Sequence, residues 1–179
     1  MTTTRTFMCA DLFRFNNVNL DVLTETYGQT FYLGYLGRWP QYNNVCEAPS
    51  GDIMGYILGK AEGPKENWHG HVTAVTVAPE YRRLRLAKTM MDHLEDVSEH
   101  AYDGYFVDLF VRMSNALAIG MYKKFGYTVY RTVVGYYSDP IKPEDAYDMR
   151  KALARDVKKR SVIPMTRPVM PEELYDDVY

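Results

Sequence analysis

Val75-Thr76-Val77-Ala78-Pro79-Glu80-Tyr81-Arg82-Arg83-Leu84-Arg85-Leu86-Ala87-Lys88 changes character twice along its length. Val75 to Val77 closes an apolar run that predicts a strand, and the proline and arginines after it predict a turn. Leu86 then opens a repeat at Leu86, Met90, Leu94 and Val97 that predicts a helix of about four turns. The first backbone N–H groups of such a helix have no intrahelical acceptor, and its dipole favours negative charge. Three arginines beside that terminus suit a phosphate or pyrophosphate. A solvated basic turn explains the same charges equally well, so strand, turn and helix follow from this stretch and the ligand does not.

Outward from it, His71 to Ala78 reads as a strand with both faces mostly apolar, which predicts a central position in a sheet. Upstream, Tyr42 to Ala48 and Ile53 to Lys60 flank Pro49-Ser50-Gly51-Asp52 and predict a hairpin. Two helices are expected before it. One spans Asp11 to Leu20 and is weakened by Asn16, Asn17 and Asn19; the other starts near Thr30 and is stopped by Pro40, with Thr24 to Gly28 as the loop between. Downstream, Gly104 to Val111 predicts a strand, Asn115 to Phe125 an amphipathic helix ended by Gly126, and Tyr127 to Gly135 a strand. Asp145 to Leu153 fits a last strand or the start of a helix. Helices, then a hairpin, then alternating strand and helix predict a mixed α/β (α+β) layout with helices packed on a twisted sheet.

At 179 residues, 46% hydrophobic and 25% charged, the chain suits one domain, and folding at this size buries about 70% of the unfolded surface. A net charge of -2 gives no global pull toward nucleic acid or membrane. Cys9 and Cys46 fit neither a zinc site nor a redox pair, which points to free thiols in a reducing compartment. Arg5, Asp11 and Arg14 interrupt the early apolar residues, so no signal peptide is expected, and no apolar run is long enough for a bilayer. A cytoplasmic protein is the expectation. The basic run Asp148 to Arg160 and the acidic tail after Pro164 read as solvated faces. Tyrosine is in excess, 16 against 7 phenylalanines, so most aromatic surface carries a hydroxyl in need of a partner.

The segment Arg82 to Ala87 resembles the acetyl-coenzyme A loop of the GNAT acetyltransferase superfamily, in which Arg or Gln is followed by two residues, Gly, one residue, then Gly or Ala. Asn115 to Tyr127, with its Asn, Tyr122 and Phe125-Gly126-Tyr127 break, resembles the superfamily's second half. The likeness extends further: Asp11 to Asp21, Leu23 to Tyr27, Trp68 to Ala74, Tyr130 to Tyr137 and Asp145 to Ala152 resemble the catalytic subunits of NatB-type N-terminal acetyltransferases, over residues 1 to about 160. The resemblance implies a GNAT fold, a mostly antiparallel twisted sheet flanked by helices, over residues 1–160, with 161–179 as a C-terminal extension. It implies acetyl transfer from acetyl-CoA to the α-amine of nascent chains beginning Met-Asp, Met-Glu, Met-Asn or Met-Gln. A larger auxiliary subunit in a heterodimer and work near the ribosome are implied as well; neither membrane nor direct DNA binding is. Arg85 stands where the common loop has Gly, and it is expected to keep a helix-compatible conformation with its guanidinium turned outward, toward a coenzyme phosphate.

On that resemblance, Val75, Val77, Arg82, Arg83, Leu84, Arg85, Leu86, Ala87, Lys88, Asn115 and Tyr122 are expected to bind the coenzyme. An amide of the strand near Val75 would stabilise the oxyanion, and Tyr122 would lie near the departing sulfur; by spacing alone Tyr122 is a core residue on a helix face. Glu25, Tyr27 and Gly28, Ala74, and Tyr136 and Tyr137 on the loop after the strand ending at Gly135 would flank the peptide. His71 and Thr73 would read its second residue, because imidazole and hydroxyl can donate to a carboxylate or an amide oxygen. Metal is discounted, since His69 and His71 have no third ligand nearby in sequence. The first two helices are the expected subunit interface. Two other readings stay open: a GNAT enzyme acting on internal lysine or a small amine, and a GNAT-fold binding protein without turnover.

Overall fold

A computed structural model describes residues 2–20, 24–138 and 143–176. Asp21 and Leu23 of the quoted segments and the last three residues of the acidic tail lie outside these. The chain divides into two compact units, residues 1–60 with 72–97, and 61–71 with 98–179.

In the first unit, β1 (Thr3–Thr6), β2 (Asn44–Glu47), β3 (Ile53–Glu62) and β4 (His69–Val77) are neighbours in that order, though the last residues of β3 and the first of β4 belong to the second unit. The hairpin is as expected: β2 and β3 pair antiparallel from Asn44↔Ile57 to Glu47↔Ile53. Gly55 is glycine because a β-carbon there would sit 2.6 Å from the Thr76 carbonyl oxygen. The expected helix from Asp11 to Leu20 is replaced by a 3-10 turn, Cys9–Phe13, and the single helical turn α1 (Asn16–Asn19). The asparagines break it by bonding elsewhere. Asn19 is buried and its side-chain oxygen accepts from the hydroxyls of Tyr32 at 3.1 Å and Tyr56 at 2.8 Å, while Asn17 donates to the Ile53 carbonyl at 2.8 Å. Two of the surplus tyrosines thus find their partner in one asparagine. The second helix forms as expected, α2 (Gln29–Arg38), and the side chain of Asn43 donates to the carbonyls of Tyr35 and Trp39 at its end, each at 2.9 Å. Phe7, Phe15, Val18, Tyr32, Leu36, Val45, Tyr56 and Leu58 form the core of this unit. The helix α3 (Leu86–Asp96) buries Leu86, Met90 and Leu94 of the predicted stripe, and Met91 beside them.

The second unit holds β5 (Phe106–Arg112), α4 (Ala116–Lys124), β6 (Thr128–Tyr137) and β7 (Glu144–Ala152), with strand order β5-β7-β6. Both pairings are antiparallel, Phe106↔Ala152 to Arg112↔Ala146 and Thr128↔Arg150 to Tyr137↔Glu144. The segment near Asp145 is therefore a strand. Asn115 caps α4, accepting the Ala118 N–H at 3.1 Å, and Gly126 follows the helix at φ 96. β6 runs through Gly135, which kinks it at φ 63. Tyr136 and Tyr137 consequently lie in the strand, correcting their expected place on a loop. Arg150, expected on a solvated face, is also buried: Asp148 on β7, wholly inaccessible, takes Arg131 Nε at 2.9 Å and Arg150 Nη2 at 3.2 Å. The C-terminal segment returns along β6, where Met165 N–H bonds to Tyr130, Val169 N–H to Thr132 and Val134 N–H to Val169. Val169 is buried with Val133 and Ala146. A short helix, α5 (Glu173–Asp176), ends the described chain. The mixed α/β class with antiparallel strands and packed helices is the one expected.

Candidate active site

Val75 and Val77 stand at the end of β4, and one 3-10 turn, Pro79–Tyr81, leads from them into Arg82-Arg83-Leu84-Arg85 and α3. Arg82 to Arg85 are all exposed. Arg83 and Arg85 have φ of 69 and 63, so Arg85 is left-handed and not helix-compatible as expected. An L-residue in that conformation costs about 1–2 kcal/mol, and the loop accepts the cost where glycine would have none. The first helical bond of α3 runs from Thr89 N–H to the Arg85 carbonyl at 3.0 Å. The amides of Leu86, Ala87 and Lys88 therefore have no intrahelical acceptor, beside a turn with three exposed guanidiniums. Such a combination suits an anionic group such as a phosphate. Lys88 also pairs with Asp92 one turn along.

Within the same unit, an aromatic ladder connects the residues expected around the peptide. Tyr27 stacks on Phe31 at 4.2 Å, Phe31 meets Tyr35 at 4.6 Å, and Thr73 on β4 donates to the Tyr35 hydroxyl at 3.0 Å. Thr24 and Thr76 share a 2.6 Å hydrogen bond between their hydroxyls, which ties the segment ahead of α2 to β4. Glu25 and Gly28 on this segment are exposed, and Ala74 packs on the core of the unit. Burial, with the charge of Glu25 adding, pushes the Tyr27 phenol up to about 12, so its hydroxyl stays neutral. The sequence offers Phe31 and Tyr35 only as part of the apolar stripe of α2 and not as site residues, although Tyr27, Phe31, Tyr35 and Trp39 recur at every fourth position.

The remaining candidates lie in the second unit. Tyr122 is buried on α4 against Tyr127, ring centroids 6.0 Å apart, and burial pushes its phenol up, which keeps it a proton donor. The side-chain oxygen of Asn115 is engaged as the cap of that helix. Tyr136 stacks on Phe110 at 4.6 Å, Phe110 lies 5.5 Å from His71, and Tyr137 donates its hydroxyl to the Phe110 carbonyl at 3.3 Å under the Arg112 guanidinium. Phe110 thus gathers His71, Tyr136 and Tyr137. His71 is buried, with Nδ1 2.7 Å from Asp108 Oδ1. The third group that the sequence does not place beside the two histidines is present in space: Glu62 brings a carboxylate within 4.8 Å of nitrogens from His69 and His71. Asp108 and Glu62 could not be read from sequence, since neither stands in a recognisable spacing from the histidines.

Residues 11–127 match the model of the acetyltransferase (GNAT) family. The N-terminal acetyltransferase B complex catalytic subunit NAA20 of Arabidopsis thaliana is 60% identical over 177 residues, spanning 99% of this chain and 100% of that one. The crystal structure of Chaetomium thermophilum Naa20 in complex with a bisubstrate analogue matches with a TM-score of 0.89 at 43% identity, over 96% of this chain and 98% of that one. The NatB acetyltransferase complex bound to CoA and MES matches with a TM-score of 0.77 at 44% identity, over 84% and 99%.

Proposed function

The chain belongs to the GNAT acetyltransferase family and, within it, to the NatB catalytic subunits, and on that footing we propose that it acetylates the α-amine of protein chains beginning Met-Asp, Met-Glu, Met-Asn or Met-Gln. It is an N-terminal acetyltransferase with acetyl-CoA as donor and a larger auxiliary subunit as partner. The observation that carries the reading is the turn from β4 to α3, where the first amides of the helix, which precede its first internal hydrogen bond, meet Arg82, Arg83 and Arg85. There Arg82, Arg83, Leu84, Arg85, Leu86, Ala87 and Lys88 hold the coenzyme pyrophosphate, and Val75, Val77 and Asn115 complete the coenzyme contacts.

An α-amine ionises near 7.7–8.0, so enough is neutral at cellular pH to attack a thioester without a strong base. Positioning and oxyanion stabilisation supply the rate, the latter from a β4 amide near Val75. The neutral amine forms the new C–N bond, the C–S bond breaks, Tyr122 protonates the departing thiolate, and the proton shed by the amine nitrogen returns to the Tyr122 phenolate through water. Glu25, Tyr27, Gly28, Ala74, Tyr136 and Tyr137 grip the peptide end, and His71 and Thr73 read its second side chain. Phe13 at the end of the 3-10 turn and Leu20 just after α1, 81% and 76% exposed, offer apolar surface for the auxiliary subunit to cover. The enzyme works in the cytoplasm beside the ribosome; among the described residues no helix is long and apolar enough to cross a membrane.

The test is turnover by the chain with its auxiliary subunit on peptides starting Met-Asp, Ser-Ala and Met-Leu, and on one offering only an internal lysine. Acetylation confined to Met-Asp is expected; equal turnover of the lysine peptide would overturn the reading. A second prediction uses the left-handed backbone of Arg85. Glycine takes that conformation freely, so Arg85→Gly removes the guanidinium and leaves the loop intact. KM for acetyl-CoA should rise about fivefold, as for an exposed charge contact worth about 1 kcal/mol, with kcat unchanged. An unchanged or lower KM removes Arg85 from coenzyme binding.

A further inference from the structure

One pocket that accepts carboxylate and amide side chains alike needs a group that can change its hydrogen-bonding sense, and the surroundings of His71 supply one. Asp108 on β5 is buried with its two oxygens facing two imidazoles, Oδ1 at 2.7 Å from His71 Nδ1 and Oδ2 at 3.4 Å from His69 Nε2. Glu62 Oε1 on β3 stands 3.9 Å from His71 Nδ1 and 4.0 Å from His69 Nε2. His69 Nδ1 lies 2.5 Å from the Asn67 carbonyl, which can only accept, and its Nε2 faces two carboxylates. Both nitrogens of His69 therefore carry protons. Burial opposes that charge and the carboxylate of Asp108 overrides it, so the His69 imidazole is raised above its ordinary value. Asp108 is in turn held well below the usual carboxylate range, against its burial, by the two histidines.

By the same hydrogen-bond logic His71 Nδ1 is a donor to Asp108, and only Nε2 can vary. Two carboxylates and two imidazoles are neutral as a cluster when both rings are protonated. Asp148 on β7 is enclosed by Arg131 of β6 and by Arg150, one carboxylate against two guanidiniums, and the charge of Asp108 acts on it as well. The remaining neighbours are the ring of Phe110 on β5 and, beyond it, Tyr136 and Tyr137 on β6.

We propose that Asp108 is a positioning residue that sets which second residue the enzyme takes: by holding Nδ1–H it fixes the ring and supports its charge, so that His71 Nε2 donates to a carboxylate when protonated and accepts from an amide when not. This rests on the reading that His71 meets the second side chain. Aspartate or glutamate at that position then binds the imidazolium, and asparagine or glutamine is also served by the neutral ring through its NH₂ group.

Asp108→Asn retains the shape and an acceptor for Nδ1–H but removes the charge. Its kcat/KM for a Met-Asp peptide should fall at least tenfold, mostly through KM, while a Met-Asn peptide stays within about threefold of wild type. His71→Ala separates the two ideas. If it leaves both peptides unaffected, the reading of His71 itself fails. If it weakens Met-Asp while Asp108→Asn lowers both peptides equally or neither, the role of Asp108 is overturned and that of His71 stands. Should Asp108→Asn fail to fold, Asp108→Glu keeps the charge and displaces the carboxylate by one methylene, and an unchanged kcat/KM for the Met-Asp peptide overturns the proposal.

Discussion

Phenylalanine in place of Tyr122 is expected to lower kcat about 100-fold while KM for peptide stays within twofold, the signature of a group that acts in the transition state and not in ground-state binding. The ring of Tyr122 is buried against Tyr127, and phenylalanine keeps that packing, so the melting temperature should hardly move. Burial raises the phenol above its ordinary value, so the hydroxyl is present as a donor throughout the working pH range. The kcat profile should therefore show no loss of activity from Tyr122 ionising below about pH 10. Steady-state kinetics with a Met-Asp peptide check both points, and an unchanged kcat removes Tyr122 from the mechanism.

Asp148→Ala should be the most damaging single change for stability. It removes the carboxylate that Arg131 and Arg150 share, and these two are only 7% and 5% exposed. Breaking a buried pair in this way costs about 3–5 kcal/mol. For a domain of this size each kcal/mol moves the melting temperature about 2–4 °C, so a fall of about 10 °C is expected in a thermal scan. Burial pushes the Asp148 carboxyl up in spite of Arg150 and Arg131, so the intact cluster itself stabilises little. Replacing all three residues by apolar ones of similar volume should accordingly cost less than Asp148→Ala alone; a triple variant that is less stable would contradict this account.

The elements that could be read from sequence are those whose apolar residues recur at one period and whose ends carry their own punctuation. α2 with Pro40 behind it, α3 on its Leu86, Met90 and Leu94 stripe, α4 between Asn115 and Gly126, and the β2–β3 hairpin all qualify. The readings that changed depend on partners distant in the chain. Asn19 weakens a helix when considered locally, yet it is the acceptor for Tyr32 and Tyr56, the latter 37 positions away. Gly135 reads as the end of a strand, and the strand continues through it because β7 keeps pairing as far as Tyr137↔Glu144. Arg85 reads as helical because arginine seldom adopts positive φ, but the loop imposes that φ on whatever residue stands there. The candidate site divides in the same way. The basic turn, Tyr122 and the β4 residues stand in continuous motifs, whereas Asp108 reaches His71 only through folding, 37 positions apart.

The return of residues 165–169 along β6 has a consequence for how this protein keeps to itself. A strand at the rim of a sheet offers its free carbonyls and amides to any other extended chain, and β6 is the last strand in the order. Here the carbonyls of Tyr130 and Thr132 and the amide of Val134 are already taken by the chain's own Met165 and Val169, with the Val169 side chain buried behind them. The proline-spaced tail is thus a built-in shield against self-adhesion along the stretch of β6 from Tyr130 to Val134.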